Sequence, residues 1–134
     1  MKTLTSTIVV VLMLIAATPE IKSQSTNRFN LNSITSLKNG ITSNNTGLRK
    51  SSIYMAGLYE VKEVAPLLAE EMKKELDPST KILVALALFK TGDENFLGVI
   101  ETMAKIEKDD QARRMMYAIT EQIKMDRTNS VPAE

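Results

Sequence analysis

From Ser33 to about Met125, apolar residues recur at intervals of three and four, the spacing that lines one face of a helix. Six such stretches follow one another. Ser33 to Thr42 carries Ile34, Leu37 and Ile41, and Thr46 to Tyr59 aligns Leu48, Ser52, Met55, Ala56 and Tyr59. Lys62 to Leu76 carries Val64, Leu67, Leu68, Met72 and Leu76, with Pro66 in its first turn, where a missing N–H costs nothing. Glu94 to Ile106 carries Phe96, Val99, Ile100 and Met103; Asp110 to Met125 carries Ala112, Met115, Met116, Ile119 and Ile123. The stretch from Pro78 to Thr91 differs, because Ile82 to Phe89 is unbroken apolar sequence. A helix apolar on all sides needs cover on all sides, so it belongs in the middle.

The breaks between stretches are explicit. Asp77-Pro78 supplies an N-cap and a first-turn proline; Gly92-Asp93 ends one helix and caps the next; Asp109 caps the sixth. These signals predict about six helices folded into antiparallel hairpins.

The ends read differently. Lys2 precedes the apolar run Ile8 to Ala17, which gives way to Thr18-Pro19 and polar sequence. That order is the pattern of a cleavable export signal over 1–23, cut after Ser23, with Ser25 as second choice. A ten-residue apolar helix rises about 15 Å, half a bilayer's hydrocarbon, so a permanent span is disfavoured. Residues 24–32 read as a linker, 33–125 as the folded domain and 126–134 as a disordered tail. The expected location is outside the cell or in a periplasm.

An internal repeat emerges at an offset of 32 residues. It superposes Asn45, Asp77 and Asp109, all good cap residues, and Arg49, Lys81 and Arg113, all basic. Leu67-Leu68 meets Val99-Ile100, and Val64 meets Phe96. Units of this length cannot bury their own apolar faces and are expected to stack.

On these residues the chain resembles the HEAT family of α-helical repeats. The run Lys81 to Asp93 (KILVALALFKTGD) looks like that family's second helix; Leu48 to Gly57 keeps the basic residue and the glycine, and Asp109 to Lys124 keeps the start. The resemblance covers 33–125 and implies a short α-α superhelix of stacked hairpins. It also implies a structural role for the ladder of Asn45, Asp77 and Asp109 with Arg49, Lys81 and Arg113, bridging neighbouring repeats. Glu75 and Asp77 just before Lys81, and Glu107 and Asp109 just before Arg113, are the available acids.

Composition narrows the function classes. Hydrophobic residues make up 43% of the chain, with three Tyr, three Phe and eight Met, so the core is aliphatic. Without Lys2, Lys22 and Glu20 of the leader, 15 basic and 15 acidic residues remain, and a balanced charge disfavours nucleic acid and anionic lipid. The absence of Cys and His excludes disulfides, thiol nucleophiles, imidazole bases and Cys/His zinc sites. No metal or cofactor is expected.

The remaining chemistry is thin. Glu70-Glu71 and Asp109-Asp110 are paired carboxylates on polar faces or helix starts, where charge is solvated. Lys50 with Ser51-Ser52 lacks the geometry of a nucleophile pair, and Asn44-Asn45-Thr46 fits a glycosylation acceptor. Helical spacing assigns Met103 and Met115 to the core. The expected function is a non-catalytic adaptor that binds a protein partner through its row of second helices, with Lys50, Tyr54 and Arg114 as contact residues. The alternatives are a membrane-tethered accessory subunit, if the leader is uncleaved, and a carboxylate-dependent enzyme.

Overall fold

The computed structural model describes residues 30–130. The expected leader with its cleavage after Ser23, linker residues 24–29 and residues 131–134 lie outside the described residues. Within them the chain is all-helical: α1 (Leu31–Ile41), α2 (Thr46–Leu58), α3 (Ala65–Lys74), α4 (Pro78–Thr91), α5 (Glu94–Ile106) and α6 (Asp110–Asn129). A 3-10 turn, Lys62–Val64, leads into α3.

Side-chain caps start these helices where polar residues precede the apolar pattern. Asn45 Oδ1 accepts from the Leu48 N–H at 3.0 Å, Asp77 Oδ2 from the Thr80 N–H at 3.0 Å and Asp109 Oδ1 from the Ala112 N–H at 2.8 Å. Each satisfies a backbone donor that the first turn leaves open. Asn30 does the same for the Ser33 N–H, so α1 begins two residues before the expected Ser33.

The helices form three hairpins, α1–α2, α3–α4 and α5–α6, stacked in two layers. One layer is α2, α4 and α6; the other is α1, α3 and α5. Packing between successive second helices is much more extensive than between successive first helices. α4 touches α2, α3, α5 and α6, which is the central position its composition calls for. The core joins Ile41, Ile53, Leu68, Met72, Val84, Leu88, Ile100 and Met116 into one continuous aliphatic cluster.

α2 and α4 run parallel: Lys50 reaches Ser79 near the α4 start, and Gly57 lies against Ala87 near its end. A Cβ on Gly57 would sit 2.8 Å from the Ala87 Cα, so this crossing needs glycine. That contact corrects the expected face of α2. Ser52, Ile53, Ala56 and Gly57 point inward, whereas Leu48, Met55 and Tyr59 are exposed. The closest approach between the helices falls on the smallest residue, and of the large apolar side chains Ile53 turns inward while Leu48, Met55 and Tyr59 turn outward.

Three further expectations are corrected. α3 ends at Lys74 because Glu75 leaves helical geometry, and Leu76 stands 87% exposed rather than in the core stripe. Met115 is partly exposed, while Met103 is buried as expected. The tail assigned to 126–134 is helical through Asn129, held by Gln122 donating to Asp126 at 2.7 Å and by Arg127 paired with Glu94 across the hairpin.

Candidate functional site

Two arrangements gather the polar and exposed apolar residues that the core does not use. The first is a ladder along the turns that join first to second helices. Arg49 on α2 meets Glu75 at 2.9 Å, and Lys81 on α4 meets Glu107 at 2.5 Å. Both acids lie 26 residues after their bases, in the following hairpin. The acids expected for Lys81 and Arg113 precede them in sequence; the structure instead pairs Arg49 and Lys81 forward. A residue preceding the cap sits behind its own helix start, whereas the same turn one unit later lies against the extended base.

The carboxylates are deeply placed, with side-chain exposures of 6% for Glu75 and 4% for Glu107. Each has a second task. Glu75 Oε1 accepts from the Asp77 N–H and Glu107 Oε1 from the Asp109 N–H, both at 2.9 Å, and Ser43 Oγ accepts from the Asn45 N–H at 3.1 Å. Positions 43, 75 and 107 therefore repeat one device, a side-chain oxygen that anchors the cap residue two places on. Burial pushes the Glu107 carboxyl up, but the Lys81 hydrogen bond and charge, with N–H groups of Asp109 and Lys108, hold it below the usual range.

Arg113 departs from the pattern. It bonds locally, to the Glu107 carbonyl at 3.2 Å and to the Asp110 carboxylate, and bridges no hairpins among the described residues. Asp77 is drawn well below the usual carboxylate range by the Ser79 and Thr80 hydroxyls, the Thr80 N–H and Lys50. Lys50, expected as a partner contact, is thus occupied: it donates to Ser79 Oγ at 3.1 Å and lies 3.4 Å from Asp77.

The second arrangement is an apolar groove of about 350 Å³ between α2 and α4. One wall is Tyr54, Gly57 and Leu58; the other is Leu83, Leu86 and Ala87. Tyr54 is 56% exposed, Leu58 54% and Leu86 37%. Of the three residues expected to bind a partner, Tyr54 lines the groove. Arg114 is exposed on α6 and does not line it.

The groove carries two charges, Glu60 and Lys90, both exposed at the C-terminal end, one on each wall. Neither side chain has an ion-pair or hydrogen-bond partner among the described residues. Glu60 has a φ of 52°, the left-handed conformation that side chains disfavour. It closes a helix-ending motif in which the Val61 N–H reaches the Ala56 carbonyl at 3.0 Å and the Glu60 N–H reaches Gly57 at 3.1 Å. Thirty-two residues on, the same position is Gly92, with a φ of 64°.

Sequence reasoning missed Leu58, Glu60, Leu83, Leu86 and Lys90. A signal existed for some of them. The unbroken run Ile82 to Phe89 leaves no polar strip on α4, and the offset of 32 places Glu60 where the second unit has glycine.

The carboxylates considered for acid chemistry are engaged on the surface. Glu70 is held below its usual range by a hydrogen bond from Lys73 and that residue's charge, and Glu71 pairs with Lys74 at 3.6 Å. Among the described residues no group of three or more acidic side chains could hold a metal ion, and no helix is long and apolar enough to cross a membrane. Comparison with family models, curated proteins and solved structures gave no match to this chain.

Proposed function

We propose that this chain is an exported, HEAT-like interaction module that binds a protein partner in the groove between α2 and α4. The observation that carries the reading is the uncovered strip on α4. That helix is apolar all round and is packed by four neighbours, yet Leu83 and Leu86 still face open space beside Tyr54 and Leu58. Exposed apolar residues scattered singly need no explanation. Three gathered along one groove, Tyr54, Leu58 and Leu86, beside the half-buried Leu83, have the make-up of a contact site. The leader pattern supports export, and the 32-residue spacing with its caps and bases supports the HEAT likeness.

The test is a photo-crosslinking residue at Leu86, with one at Lys105 on the outer side of α5 as control, in chain expressed in its native exported fraction. Leu86 is expected to capture protein well above the Lys105 level. Equal, background-level capture at both positions overturns the reading.

A further inference from the structure

The groove is complementary to itself, and we infer that its occupant is a second copy of this chain. The inference rests on reading the groove as a protein-binding surface and names the partner. Three features of the groove support it.

The first is charge placement. α2 and α4 are parallel, so Glu60 and Lys90 stand at the same end of the groove on opposite walls. A two-fold axis along the groove lays α2 of one copy opposite α4 of the other. It brings each Glu60 to Lys90 of the second copy, twice over, which is the reciprocity a two-fold interface demands. Among the described residues neither side chain has an ion-pair or hydrogen-bond partner.

The second is shape and chemistry. Each wall has two apolar side chains, Tyr54 and Leu58 on α2, Leu83 and Leu86 on α4. Four parallel helices with these side chains turned inward fill a shared centre, as in a helix bundle. The two walls offer matched apolar surface, so neither copy must leave a wall bare.

The third is the backbone at Glu60. The chain uses glycine for the left-handed position in its second unit and a glutamate in the first. Among the described residues that glutamate's side chain makes no ion pair or hydrogen bond. Opposite Lys90 of a second copy it gains an ion pair at the rim of an apolar contact.

The patch is small, so association falls in the weak, concentration-dependent class. Sedimentation equilibrium on the mature chain, up to about 1 mM, the weak end of measurable association, is expected to show reversible dimers. Glu60→Lys alone and Lys90→Glu alone set like charges together and are expected to weaken the dimer about tenfold or more. Combining the two restores opposite charges and the dimer. Circular dichroism melts of each variant separate this from unfolding, and rescue in the double variant cannot arise from a folding defect.

A monomer throughout the concentration range overturns the inference. So does a dimer that ignores both reversals, or one that the double exchange fails to restore. If the chain is monomeric while Leu86 still captures another protein, the binding groove stands and the second copy is excluded. If Leu86 captures nothing, the groove reading itself fails.

Discussion

Lys81 on α4 holds Glu107 of the next hairpin at 2.5 Å, while Glu107 also takes the Asp109 N–H that begins α6. One carboxylate thus joins two units and fixes where the last helix starts. Lys81→Met leaves that buried carboxylate without its base. The expected loss is about 2 to 3 kcal/mol in urea unfolding, since stranding a buried charge costs more than deleting a pair. Lys81→Met with Glu107→Met is expected to lose less than Lys81→Met alone. Arg113→Ala should change stability by less than about 0.5 kcal/mol, because its contacts are local and its acid is exposed.

Two glycines inside helices predict opposite outcomes for one substitution. Gly57→Ala places a methyl 2.8 Å from the Ala87 Cα and must push α2 off α4, an overpacking cost of about 1 to 3 kcal/mol. Gly98→Ala meets nothing within 4 Å on the exposed face of α5 and is expected to stabilise by about 0.5 to 1 kcal/mol through helix propensity. Thermal melts of the two variants, shifting in opposite directions, check the close crossing.

Glu60 and Gly92 share a left-handed backbone at equivalent places. Glu60→Gly relieves the side-chain clash and should raise stability by about 1 kcal/mol, whereas Gly92→Ala should lower it by a similar amount. Denaturant midpoints measure both. A destabilised Glu60→Gly variant would show that the glutamate has a contact within the monomer.

Acid should loosen the stack. The folded-state values of Glu107 and Asp77 lie below their ordinary 4.5 and 3.8. Such groups contribute stability that is complete above the ordinary value and is lost as pH falls through the folded one. Urea midpoints are therefore expected to hold from neutral pH down to near 4.5 and then fall. Lys81→Met with Glu107→Gln, which removes one of the ladder's two buried acids, should fall less steeply over the same range.

Helix count, caps and the centrality of α4 were legible because they depend on local chemistry. Asp77, Asp109 and Asn45 cap by hydrogen bonds within one turn, and the apolar run Ile82 to Phe89 carries its own demand for cover. The ladder's direction was not legible. Glu75 precedes Lys81 by six residues and follows Arg49 by 26, and sequence distance favours the wrong partner; only the stacking of hairpins brings the distant pair together. The α2 face misled for a related reason. Leu48, Met55 and Tyr59 offer apolar area, but the close contact of Gly57 with Ala87 sets the rotation of α2, which carries Ile53 inward and those three outward.

The groove was half legible. Tyr54 and Lys50 were both expected on the partner-facing row of second helices; Tyr54 lines the groove, and Lys50 is engaged by Asp77 and Ser79. Leu83 and Leu86 looked like core in sequence. Their openness follows from the spacing of α2 and α4 in three dimensions, which no periodicity encodes.

The unequal packing of the two layers has a mechanical outcome. The second helices grip one another along their length, while the first helices touch only sparingly. The stack is like a book bound along one edge, with its closest packing at the spine. The groove lies in the spine, between α2 and α4, the most extensively packed pair of helices, so a ligand seated there would meet walls already held in place by the core.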